Sequence, residues 1–225
     1  MTFTHARISR CLSACAAAAL LALPATGVWA GGLASLAQFV KSAHSGQADF
    51  TQVVTAPGKD GQPPRSRTQS GHFEFERPGK FRFDYHQPFE QTIVADGQTL
   101  WLYDADLNQV TARPQQQALG ATPAAIISAA ANLKELERDF AIAEEPDKDG
   151  QQWIKATPKA TDGALKSIRV GFRPRIGGPE LSTLDILDNF GQRSVLTFSG
   201  VAVNVPVPAA RFEFKPPAGA DVLRD

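Results

Sequence analysis

Residues Ser70–Tyr85 read Ser-Gly-His-Phe-Glu-Phe-Glu-Arg-Pro-Gly-Lys-Phe-Arg-Phe-Asp-Tyr, and this run decides the fold. Phenylalanines alternate with polar residues on both sides of an Arg-Pro-Gly-Lys turn. Phe73 and Phe75 therefore share one face of a strand with Arg77 two residues on, and Phe81, Phe83 and Tyr85 share one face of the next strand. An antiparallel pair of this kind carries a patch of aromatic rings on one side and one guanidinium at its edge. A buried core rarely takes that charge. An apolar cavity that opens and closes has a use for it.

Working outward, the same texture continues. Gln91–Ala95 and Thr99–Tyr103 flank Asp96-Gly97, a strong hairpin signal, and Asn108–Ala112 adds another strand. Upstream, Leu33, Leu36, Ala37, Phe39 and Val40 predict a helix ended by Gly46, then a strand over Ala48–Thr55 and an exposed loop over Ala56–Arg67. Downstream, strands are predicted at Phe140–Ala143, Gln152–Thr157, Ser167–Phe172, Leu181–Leu187, Arg193–Phe198, Val201–Val205 and Arg211–Phe214. Between these strand runs, Thr122-Pro123 marks a helix start, Ala124–Ala131 follows with Ile126 and Ile127, and a second short helix covers Leu133–Arg138. Short alanine-rich helices over roughly 120–139, inside an otherwise all-strand chain, suit a mobile lid. The fold class is mainly β with an α lid: a curved, incomplete antiparallel barrel.

The first thirty residues predict a removable secretory signal. Arg7 and Arg10 precede the apolar run Cys11–Leu23, and Val28-Trp29-Ala30 offers small residues for cleavage. Cys11 and Cys15 lie within it, so residues 31–225 carry no cysteine and the fold depends on packing without disulfides. The segment also takes two of the 23 basic residues, leaving a near-neutral balance against 23 acidic ones that disfavours nucleic acid as partner. Residues 31–225 form one domain of ordinary size.

Catalytic signals are weak. His44, His72 and His86 stand beside no nucleophile motif, and phosphate-loop, zinc and Gly-x-Ser-x-Gly patterns are missing, so the reading is not an enzyme, with no cofactor and no metal. His72, Glu74 and Glu76 share a strand face, and Asp104 and Asp106 lie near Asn108; a solvated face and a polar turn account for both groups. Phe73, Phe75, Phe81, Phe83, Trp101 and Phe172 fit either a packed core or the wall of a cavity, and periodicity does not separate the two.

The chain closely resembles the LolA family, the periplasmic outer-membrane lipoprotein carriers of Gram-negative bacteria. The resemblance rests on Asp49-Phe50-Thr51-Gln52, Gly71–Phe83 with Arg77-Pro78 at its centre, Val94–Tyr103, Ala121-Thr122-Pro123, Thr157–Ala160 and Phe212–Val222. It implies an unclosed sheet with a hydrophobic cavity closed by short helices. It also implies a periplasmic carrier that takes acylated lipoproteins from an inner-membrane ABC transporter and delivers them to an outer-membrane receptor, as a monomer. By the same resemblance Arg77 is the lid latch. Phe73, Phe75, Phe81, Phe83, Trp101, Ile126, Ile127 and Phe172 would meet acyl chains. Where many members carry tryptophans in the hairpin, this chain has Phe73 or Phe75 and Phe83. A lipid- or lipoprotein-sensing module on the same half-barrel is the alternative function.

Overall fold

The computed structural model describes residues 31–58, 61–116, 127–128, 133–161 and 163–224. The predicted signal segment, the Thr122-Pro123 helix start and Ile126 lie outside the described residues. Helix α1, Gly32–Ser42, buries Leu36, Phe39 and Val40 along one stripe. It ends earlier than Gly46, capped by the Ala43 N–H on the Phe39 carbonyl. Gly46 is instead a strand residue opposite Phe75, where a Cβ would stand 2.7 Å from that ring.

Among the described residues, twelve strands form one sheet: β1 Ser45–Ala56, β2 Arg65–Glu76, β3 Lys80–Gln87, β4 Gln91–Asp96, β5 Thr99–Asp104, β6 Gln109–Pro114, β7 Phe140–Lys148, β8 Gln151–Pro158, β9 Leu165–Arg173, β10 Glu180–Asp188, β11 Arg193–Val203 and β12 Asp221–Arg224. A second helix, α2, covers Leu133–Asp139, as the sequence predicts. The strand order is β12-β6-β5-β4-β3-β2-β1-β11-β10-β9-β8-β7. Two hairpin meanders, β1–β6 and β7–β11, are thus joined where β1 pairs β11, and β12 and β7 remain as edges of a barrel that does not close.

Three expectations change. The loop over Ala56–Arg67 shrinks, because β2 begins at Arg65 and pairs with β1 out to Ala56, with the Thr55 and Ser66 hydroxyls bonded at 2.9 Å. Arg193–Phe198 and Val201–Val205 belong to one bent strand, β11, which turns at Gly200 (φ 61°) opposite a register shift between Gln47 and Asp49. Arg211–Phe214 is not a strand: Ala209–Phe212 is a 3-10 turn led in by Pro208, whose ring fixes φ and removes a donor. The strand the sequence reading lacks is β12, four mostly exposed residues laid parallel to β6.

Candidate functional site

Register places the aromatic residues on one face. Phe73 pairs Phe83, Phe75 pairs Phe81, and Ala48 on β1 stands opposite Phe73. Phe73, Phe75, Phe81 and Phe83 are buried, and their rings touch: Phe73–Phe83 centroids lie 4.4 Å apart, Phe73–Phe75 5.8 Å and Phe81–Phe83 6.0 Å. From the other half of the sheet, Phe172 and Phe198 reach the same interior. Phe198 lies 5.7 Å from Phe73, and Phe39 of α1 sits between Phe75 at 6.2 Å and Phe172 at 5.6 Å. This is the concave face. Burial of each ring contributes about 1.5–3 kcal/mol, and Ile127, 2 % exposed, belongs to the same cluster.

One glycine makes the face possible. Gly71 lies opposite both Phe50 and Tyr85, and a Cβ there would stand 2.0 Å from the Asp84 carbonyl oxygen and 2.9 Å from the Phe50 ring. The vacancy lets Tyr85 meet Phe50 edge-on at 5.0 Å. Burial pushes the Tyr85 phenol up to about 12, against an opposing pull from Arg67.

Arg77 stands where the aromatic face, α1 and the segment at residues 127–128 meet. Its Nε and Nη2 donate to the Ile127 carbonyl at 3.0 and 2.6 Å, and its Nη1 donates to the Val40 carbonyl at 2.6 Å and the Phe39 carbonyl at 3.4 Å. Both carbonyls lie in the last turn of α1, where helices leave oxygens short of partners; that of Phe39 also accepts the capping Ala43 N–H at 2.9 Å. The guanidinium carbon lies 5.1 Å from the Phe39 centroid and 5.6 Å from that of Phe75. Burial pulls the Arg77 pKa down to about 10, which leaves it charged at neutral pH. A fixed cation held on backbone oxygens joins a wall helix to the segment above the rings without relying on the identity of any side chain there.

The turn carries a second attachment that sequence reasoning missed. Gly79, at φ 78°, donates its N–H to the Ser128 carbonyl at 2.8 Å. Its own carbonyl accepts from Gln115 Nε2 at 2.6 Å, while Gln115 Oε1 accepts from the Gly97 N–H at 2.9 Å. Gln115 is buried just past β6. One turn therefore grips the chain on both sides of residues 117–126. A lone glutamine after a strand gives no sequence signal for this role.

Trp101 is placed differently from expectation. It pairs Val94, on the face opposite Leu100 and Leu102, so it lies on the convex side. There its indole N–H donates to Asp96 Oδ2 at 2.9 Å, and its ring lies 5.5 Å from Phe214. The chain around the 3-10 turn straps this outer face, with Phe212 buried and Phe214 also 6.1 Å from Tyr103. Arg211 fixes the strap by donating to Glu74 Oε2 at 2.7 Å and Asp84 Oδ2 at 2.8 Å, and Arg82 donates to the same Asp84 oxygen at 2.6 Å. Glu74 is thus engaged by Arg211, His72 faces Asp49 at 2.8 Å, and Glu76 accepts from Lys80 at 2.9 Å. Asp104 accepts from the Leu107 N–H, the polar turn that its neighbourhood predicts.

A largely antiparallel, unclosed barrel whose apolar concave face is covered by a helix and a pinned segment defines the class: a half-barrel that encloses apolar surface under a short helical cover. Comparison with known sequences narrows it. The family model described as "Outer membrane lipoprotein carrier protein LolA" matches residues 41–215, and the chain belongs to that family. An outer-membrane lipoprotein carrier protein from Albidiferax ferrireducens is 64 % identical over 195 residues, covering 87 % of this chain and 92 % of that protein. One from Leptothrix cholodnii is 51 % identical over 195 residues, covering 87 % and 86 %. Among solved structures, a LolA superfamily protein from Nitrosomonas europaea has the same fold at a TM-score of 0.50 and 15 % identity, covering 82 % of this chain and 98 % of that one.

Proposed function

We propose that this protein carries lipoproteins through the periplasm. In this reading it accepts the acyl chains from an inner-membrane ABC transporter, shields them against the concave face, and passes the cargo to an outer-membrane receptor. The reading rests on one observation above all: Arg77 holds the Ile127 carbonyl over a face of buried phenylalanines, 3.0 Å from Nε and 2.6 Å from Nη2. A permanent core does not need a releasable polar pin on its cover. A carrier does.

The physics supports it. Each methylene buried is favourable by about 0.8 kcal/mol, so a long acyl chain in water is unfavourable by on the order of 10 kcal/mol. Phe73, Phe75, Phe81, Phe83 and Phe172 supply the apolar surface to offset that, together with Ile127 of the cover. A chain that enters must part Ile127 from Arg77, and the free energy of those hydrogen bonds is subtracted from affinity. Arg77 then sets the poise between holding and releasing. Recovery of the protein from periplasm and mass spectrometry of its bound species tests the reading. Acylated lipoproteins or their lipid-bearing fragments are expected, and consistent recovery without any acylated species refutes it.

A further inference from the structure

The concave face changes character along its length. Moving away from the turn at Arg77, Phe75 and Phe73 give way to Gln69 on β2, Phe50 gives way to Gln52 on β1, and Phe83 gives way to Tyr85 on β3. Gln52 and Gln69 are direct cross-strand partners. Gln69 is 9 % exposed, and Gln52 Oε1 is buried with no hydrogen-bond partner among the described residues. Leu196 is the β11 neighbour on the same rung, so apolar side chains are accepted at this depth. A buried carboxamide oxygen left unpaired is unfavourable where a leucine would pack, and no contact among the described residues accounts for it.

We propose that Gln52 and Gln69, with the Tyr85 hydroxyl one rung nearer the turn, form the subsite for the polar linkage of the cargo: the ester and amide groups that join acyl chains to an N-terminal cysteine. The inference rests on the carrier reading and adds where the head of the cargo sits. Ester and amide carbonyls only accept hydrogen bonds, whereas the amide N–H of an acylated cysteine donates. A carboxamide pair meets both needs, Oε1 accepting and Nε2 donating, and a phenol serves either way. The distance fits as well. Gln69 to Phe75 is six residues of strand, about 20 Å, enough to lay out a chain that fills half of a roughly 30 Å bilayer core. The head anchored at the glutamine rung would send its chains along the phenylalanines toward Arg77.

Two probes separate head from chains: a synthetic tripalmitoyl-S-glycerylcysteine peptide, and the dye 1-N-phenylnaphthylamine, which is apolar and lacks the linkage. For Gln52→Leu combined with Gln69→Leu, lipopeptide Kd is expected to rise roughly 10- to 100-fold, about tenfold for each lost hydrogen bond, with dye binding held or tightened. Tyr85→Phe and the near-isosteric Gln52→Met repeat the test one group at a time, should the double variant fail to fold. Unchanged lipopeptide affinity across the set, or parallel weakening of both probes, overturns the subsite while leaving carriage intact. A wild-type chain that does not take the lipopeptide overturns carriage and the subsite together.

Discussion

Arg77→Leu isolates the pin. The two bonds to Ile127 share one carbonyl, so they count as one charge-assisted group, contributing about 1.5–3 kcal/mol net. At 1.4 kcal/mol per decade, losing it moves the open-to-closed ratio roughly 10- to 150-fold toward open. The Gly79 N–H still holds the Ser128 carbonyl at 2.8 Å and Ile127 keeps its apolar contacts, so the cover loosens without detaching. Global stability moves less. Burial has already pulled the Arg77 pKa down to about 10, and leucine removes that desolvation penalty along with the bonds, which makes the exchange near neutral. Because apparent affinity scales with the competent fraction, the variant is expected to load a fluorescent lipopeptide readily and surrender it to acceptor vesicles more slowly by a similar factor. Amide exchange at Ser128 is expected to rise in parallel. Wild-type transfer rates from a loaded Arg77→Leu protein, with unaltered exchange, refute the pin.

Further outcomes follow from other contacts. Phe83→Ala removes a ring that meets Phe50 at 5.5 Å and Phe73 at 4.4 Å; a loss of about 3–5 kcal/mol is expected by urea unfolding, and an unchanged midpoint means the concave face is not tightly packed. Gln115→Ala leaves the Gly79 carbonyl and the Gly97 N–H unpaired; about 1–3 kcal/mol of local stability is expected to go, read as faster exchange of the Gly97 amide. Gly71→Ala forces a Cβ to within 2.0 Å of the Asp84 carbonyl oxygen, so soluble yield is expected to collapse, and a folded variant with normal near-UV dichroism contradicts the register. Burial raises the Asp84 pKa, but hydrogen bonds from Arg82, Thr92 and Arg211 and the charge of Arg82 outweigh it, and the carboxyl sits below its ordinary value. Its contribution is therefore present above the unfolded carboxylate pKa near 3.9 and lost as pH falls through the lower folded value. Melting temperature is expected to hold from neutral pH to about 5 and to fall below about 4, with a shallower fall in Arg211→Ala; identical profiles in the two proteins remove Arg211 from the network.

The hairpin was legible because its two faces differ: phenylalanines inside, charges outside, so alternation has a phase. Arg77 was legible for the same reason, as a cation on the aromatic side. Its partners were not, since the Phe39, Val40 and Ile127 carbonyls are backbone atoms and leave no mark in composition. Trp101 went to the wrong face because Thr99–Asp104 is apolar in both phases: Leu100 and Leu102 face the concave side, while Phe214 covers Trp101 and Tyr103 from outside. A strand half-buried on both faces loses the alternation that would orient it. Gln115 acts through the ends of two turns, and β12 is four residues long, so neither carries a pattern long enough to read.

The two faces of the sheet divide the work of a reversible carrier. Outside, Arg211, Glu74, Asp84 and Arg82 tie the strap across β2 and β3 in charge-assisted bonds of 2.6–2.8 Å, which keeps the wall in shape whatever the interior holds. Inside, the rings satisfy one another when nothing else is bound. On the proposed reading, an acyl chain worth on the order of 10 kcal/mol gross parts several ring pairs, each contributing about 0.5–1.5 kcal/mol beyond area burial, and also breaks the grip of Arg77. Net affinity is the difference between these quantities, several kcal/mol smaller than the hydrophobic gain alone. A polar or permanently hollow interior would lack one side of that balance: the first would not compete with a membrane for the chain, and the second would not give it back.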